Sequence, residues 1–206
     1  MALISVSNNA LSNISVLPAA IPTGALTLIK SITASSSASI EFINGTSGVI
    51  LDGTYSSYVF SFTDIHPATD NVNFTFNMST DSGANYNVTK TTTTFIAYHL
   101  ENDAAAGLQY ETARDIAQGT DYQQICPAVG SDNDQHSTGY LQLFSLSSNT
   151  YTKHFISRTS SSHNGDYAVD FYTAGYGNTT SAVNAVRFQM SSGNIDDGTI
   201  KLYGVK

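Results

Sequence analysis

From about residue 38 to the last residue the chain keeps a period of two, and that pattern admits few folds. "YVFSF" sets Tyr58, Phe60 and Phe62 on one face of an extended segment. "NVNFTFNMS" does the same with Val72, Phe74, Phe76 and Met78, leaving Asn73, Thr75 and Asn77 on the other face. "AVRFQM" groups Val186, Phe188 and Met190, and "SIEFI" runs into the turn pair Asn44-Gly45. "TKTTTTFIAYHL" is β-branched and aromatic, and "GYLQLFSL", "YTKHFISRTS", "DYAVDFYTAGY" and "GTIKLYGVK" continue the series. Turn-forming clusters at 147–150, 160–165, 177–181 and 191–198 separate them. Eight or more short strands without an internal repeat predict an all-β antiparallel sandwich. Alternating aromatics need two facing sheets, so a jelly roll is the expected version.

Two stretches depart from the pattern. Residues 101–125, "ENDAAAGLQYETARDIAQGTDYQQI", read as a long connection with at most one or two turns of helix, because Gly107 and Gly119 keep any helix short. Residues 1–30 hold two of the four prolines, and Pro18 and Pro22 oppose a regular helix or a central strand. A flexible terminus would be poorer in aliphatics. This stretch is read instead as an extended arm, with Leu17, Ile21, Leu26 and Ile29 as candidate assembly contacts and residues 31–206 as one sandwich domain.

Composition narrows the function classes. Charged residues are 12% of the 206, and Ser, Thr and Asn fill the polar positions. A net charge of −8, with eight scattered Lys and Arg, opposes nucleic-acid binding and gives no attraction to an anionic membrane. No stretch is long and apolar enough for a membrane span, and the first residues lack a signal peptide's basic start. The expectation is synthesis in a cytoplasm, with lysis delivering any extracellular product. Sequons such as Asn44-Gly45-Thr46, Asn87-Val88-Thr89 and Asn178-Thr179-Thr180 are read as chance in an Asn- and Thr-rich chain. Cys126, the single cysteine, is expected to be a buried, inert thiol.

The most chemically suggestive run is "GSDNDQHSTG", 130–139, where Asp132, Asp134 and His136 alternate. A helix–loop–helix calcium site needs glycine sixth and glutamate twelfth; counted from Asp132, those positions are Ser137 and Leu143. The run is therefore read as a polar turn leading into a strand, with these three residues as candidate loop contacts. The five histidines form no zinc-type pair, and His66 and His154 are expected to be structural. Nucleophile elbow, catalytic-cysteine signature and phosphate loop are absent from the sequence. Glu41, Asp64, Glu101 and Glu111 are the carboxylates a sugar hydrolase could use, with solvated turn residues as the default reading. The expectation is no enzyme, no metal and no cofactor.

Four longer segments carry a family resemblance: "LPAAIPTGALTLIKSITASSSASIEF", "YVFSFTDIHPATDNVNFTFNMSTDSGANYNVTKTTTTFIAYH", "GSDNDQHSTGYLQLFSLSSNTYTKHFISRTS" and "SAVNAVRFQMSSGNIDDGTIKLYGVK". "HPATDNV", "SNTYTKHFISR" and "SSGNIDDGTIKLYG" are its most specific parts. Together they resemble small β-rich virion proteins of marine tailed phages, described as capsid decoration, capsid-fibre or tail-fibre-like proteins. The resemblance implies structural work on a virus particle and brings no catalytic residues. The implied partners are further copies of the chain, with a trimer expected, and virion proteins such as the major capsid protein or portal and tail components. The alternative is a fibre-associated module that recognises host-surface glycan.

Overall fold

The computed structural model describes residues 26–206. Its strands are β1 (Leu26–Thr33), β2 (Ile40–Ile43), β3 (Ser57–Pro67), β4 (Val72–Ser79), β5 (Lys90–Leu100) and β6 (Ala106–Tyr110). They are followed by β7 (Gln123–Val129), β8 (Ser137–Phe144), β9 (Lys153–His163), β10 (Tyr167–Gly177), β11 (Ala185–Met190) and β12 (Ile195–Val205). Every pairing between them is antiparallel. One layer runs β1-β12-β3-β8-β9-β10-β5-β6 and the other β2-β11-β4-β7. A single pair, Val129 with His163, stitches the layers together between β7 and β9. The architecture is a β-sandwich nearly closed into a barrel.

The alternating aromatics form the core. Phe60 and Phe62 of β3 pack against Phe74 of β4 and Phe188 of β11, and Tyr58 of β3 and Phe76 of β4 are buried with them, all fully or almost fully. Phe188 is the hub, within 5.1 Å of the Phe60 ring and 5.3 Å of the Phe62 ring across the layers. Edge-to-face contacts such as Phe62–Phe74, at 5.1 Å and 89°, match the preference of aromatic quadrupoles. Past this core, β9, β10, β5 and β6 extend the larger sheet over a second small cluster of Ile96, Val169 and Phe171.

The polar face of β4 is not solvated. Thr75, Asn77 and Ser79 are as buried as the aromatics between them. Residues 111–124 lie against this side, and a covered connection carries backbone groups that need partners. Asn77 Nδ2 donates to Tyr86 O (2.6 Å) and Thr120 O (2.9 Å), and Gln123 Nε2 donates to Arg114 O (3.0 Å). Thr94 Oγ1 donates to Glu111 O (2.9 Å), while Ile116 N donates to Thr92 Oγ1 (2.7 Å). The hydroxyl- and amide-rich composition thus serves a second, polar interior. Lys90 belongs to it: its buried ammonium donates to Asn77 Oδ1 (2.7 Å) and Val88 O (2.8 Å).

Residues 101–125 differ from expectation. No helix occurs among the described residues, and the stretch contains β6 and the start of β7. The absence of helix agrees with the limit set by Gly107 and Gly119; the unexpected part is β6, which pairs with β5, while the chain beyond it turns at 112–114 and bends at 117–118 as it bonds to Lys90, Thr92 and Thr94. The sandwich also begins earlier than residue 31. β1 starts at Leu26 and pairs with the last strand, so the expected arm ends inside an element, and residues 1–25 lie outside the described ones. The turn placed at 160–165 is shorter than expected, since β9 continues to His163.

Candidate functional site

The loop 130–136 sits at one end of the sandwich against paired irregularities in β3 and β12. The β3–β8 register shifts between Phe62 and Ile65, and the β12–β3 register shifts on both sides of Asp197. Asp64 takes a φ of +53° at the β3 bulge. Gly198 is required opposite it: its φ is +117°, and a Cβ there would lie 2.6 Å from Asp64 O and 2.8 Å from Ile65 Cα. The bulges turn Asp64, His66, Asp196 and Asp197 toward Gln135 and His136 around a recess of about 340 Å³. His136 Nε2 lies 3.5 Å from Asp64 Oδ1, and His66 Nε2 donates to Asp132 O at 3.2 Å.

Of the three loop residues singled out in the sequence, only His136 lines this recess. Asp132 and Asp134 are exposed and contribute backbone carbonyls, to Gln135 N (2.8 Å) and, at 3.3 Å, to the His136 ring. Sequence reasoning missed Asp196 and Asp197, whose signal was the "DDG" triplet that ends in Gly198. Among the described residues no three His, Cys, Asp or Glu side chains are grouped as a metal site. The loop is a polar turn leading into β8, bonded within itself and to His66 and Asp70.

The other candidates have structural surroundings. Glu41 is ion-paired with Arg187 (2.6 Å), whose guanidinium also lies 4.0 Å from the Tyr86 ring centre. Glu111 pairs with Arg114 (2.9 Å), and Glu101 is exposed in a turn. His154 is exposed on β9, and His163 stacks on Tyr167 at 4.7 Å. Cys126 is wholly buried, and burial pushes its thiol pKa up. That is the inert thiol expected.

What the described surface offers instead is an open side. On the β7/β8 side the sandwich is continued by β9, β10, β5 and β6. On the opposite side, among the described residues, β1 pairs only with β12 and β2 only with β11. A groove of about 560 Å³ separates them, lined by Ile32, Ile43 and Val49 between Lys30 and Glu41. Ile29 and Ile32 pack onto the core from β1, whereas Leu26 and Leu28 are 53% and 54% exposed. Of the four expected arm contacts, Leu26 is therefore free, Ile29 is partly committed to the core, and Leu17 and Ile21 lie outside the described residues.

The outer face of the extension carries a second feature that alternation alone did not single out. Tyr110, Phe95, Tyr172, Arg158 and Tyr140 are cross-strand neighbours on β6, β5, β10, β9 and β8. Phe95 stacks on Tyr172 at 4.5 Å and 8°, and Arg158 covers the other face of the Tyr172 ring at 4.9 Å. Asp170 holds Arg158 in a two-pronged pair of 3.0 and 2.7 Å, leaving the row without net charge. Comparison of the chain with models of known protein families, with curated proteins and with solved structures finds no match.

Proposed function

We propose that this chain is a non-enzymatic structural subunit of a bacteriophage particle, a head-decoration or fibre protein that self-associates and docks through the residues preceding its sandwich. The observation that carries this reading is the open side at β1 and β2. A long edge strand with two exposed leucines is an aggregation hazard that proteins ordinarily blunt with charge, bulges or a cover. Here the cover is a neighbour. A jelly-roll winding fits the same reading, because strands 1-12-3-8 over 2-11-4-7 nest the first strand beside the last in each layer, and such rolls recur in capsid and lectin domains. The phage assignment rests on the sequence resemblance, and the trimer on the symmetry expected of such subunits.

Deleting residues 1–25 tests the reading. Light scattering of the full chain should give an oligomer, and the deleted chain should lose attachment to particles. Full attachment of the deleted chain would overturn arm-mediated docking.

A second reading, recognition of host-surface glycan, is favoured by the neutral aromatic row on the extension. Beside it lies a recess of about 410 Å³ lined by Thr91, Thr93, Phe144, His154, Ile156 and Tyr176. Saturable binding on a glycan array, lost in Tyr172→Ala, would support it; binding unchanged by that substitution would remove this face as the site.

A further inference from the structure

The groove at the open side has the attributes of a strand acceptor. Ala34 N donates to Gly198 O (2.8 Å), and the β1–β12 register then alternates back through Ile32 and Lys30. In an antiparallel ladder the intervening residues direct their N–H and C=O groups away from the partner. Ser31 and Thr33 therefore present backbone groups along the groove that have no partner among the described residues. Its floor of Ile32, Ile43 and Val49 borders the main core, so a strand seated there would continue the core as well as the sheet.

We infer that residues 1–25 of a second copy of this chain seat in the groove between β1 and β2, pairing as an added strand with the free edge of β1. This rests on the self-association proposed above and names its contact. Twenty-five residues precede Leu26, none of them Asp, Glu, Lys or Arg, which suits an apolar floor where a buried charge would be costly. Extended at about 3.3 Å per residue, the segment reaches roughly 80 Å, ample for a neighbouring subunit. Its proline-free part, 3–17, holds Ile4, Val6, Ile14 and Val16 interleaved with serines, a strand-forming composition. A second copy can lay that part along β1. A copy using its own arm would reverse just before Leu26 and set Pro18 and Pro22 against the ladder, where each withholds a donor.

Disulfide trapping in the full-length chain tests this. Cys126 is buried, so introduced thiols are the reactive ones. One set of copies carries Ser5→Cys, Ser7→Cys, Ser12→Cys or Ser15→Cys, and a differently tagged, co-expressed set carries Ser31→Cys, an exposed β1 position. Neighbouring strands bring Cα atoms within disulfide range. The expected result is a mixed-tag crosslinked dimer for one or more arm positions, and none with the exposed loop control Ser181→Cys. Double variants with both cysteines in one chain report the alternative: a crosslink confined within single chains overturns the inference. Equal crosslinking to Ser31→Cys and Ser181→Cys, or none to either, also overturns it. If light scattering still shows an oligomer, self-association stands and only the seat is wrong; a monomer removes both.

Discussion

Lys90 gives the most discriminating stability prediction. Its ammonium is buried in the polar interior, and burial lowers its pKa from 10.5 to about 8, opposed by the negative charge of Asp121. Unfolded chains keep this proton up to the ordinary lysine value, whereas the folded chain releases it near pH 8. Between those values the unfolded state binds more protons, so stability rises with pH. The slope reaches about 1.4 kcal/mol per pH unit midway between the two values and is shallower near each, which amounts to roughly 2 kcal/mol between pH 8 and 10. Lys153 is shifted the same way by burial and adds to the rise. Above pH 10 the sign reverses, because Tyr86, raised to about 12 mainly by burial, keeps a proton that the unfolded chain loses. Lys90→Met should flatten the rise by that share. Absolute stability at one pH would not isolate the effect, since the substitution also strips Val88 O of its donor. The assay is urea unfolding by far-ultraviolet circular dichroism at fixed protein concentration at pH 8, 9 and 10; the chain has no tryptophan to follow. Equal slopes for Lys90→Met and the parent chain would refute a buried, proton-releasing lysine.

Three further outcomes follow from the packing. Phe188→Ala should cost about 3–5 kcal/mol, against about 1.5 kcal/mol or less for the exposed Phe95→Ala, measured by urea midpoint; similar losses would deny the hub. Gly198→Ala should cost roughly 1–3 kcal/mol, because it forces a left-handed φ and a Cβ against the β3 backbone. A neutral Gly198→Ala would mean that the paired bulges are not as described. Cys126 should resist thiol reagents in the folded chain and react as fast as a free thiol in urea; rapid native labelling would contradict its burial.

How much of this was legible in the sequence depends on the range of the interactions. The cross-layer aromatics could be named from alternation because a side chain's face in a strand is fixed by counting. The strand within residues 101–125 was missed because β6 is held by pairing with residues 95–99 and the turns after it by bonds to residues 90–94, and local propensity carries no trace of those. The same bonds explain why Thr75 and Asn77 are buried: alternation correctly placed them opposite the aromatics but cannot say what covers a face. The recess beside His136 depends on register shifts at Phe62/Ile65 and Asp197, and only the glycine after "DD" hinted at one of them.

The polar interior and the open edge are two answers to one problem. A sheet of this breadth has more backbone to satisfy than one apolar core can hide. On the β7/β8 side the chain meets most of this internally: β9, β10 and β5 prolong the larger sheet as far as the edge strand β6, and residues 111–124 are sealed by Thr, Asn, Gln and one lysine. These bonds are made within one chain and survive dilution. On the β1/β2 side no strand remains to be added from residues 26–206, and the edge keeps its unpaired groups and exposed leucines. Among the described residues β6 is an edge as well, paired only with β5; what distinguishes the β1 edge is the groove beside it, whose floor of Ile32, Ile43 and Val49 borders the main core. If uncharged residues 1–25 fill it, each subunit both donates and accepts. Such head-to-tail contacts close into a ring when the rotation between subunits permits, which is the geometry a trimer requires.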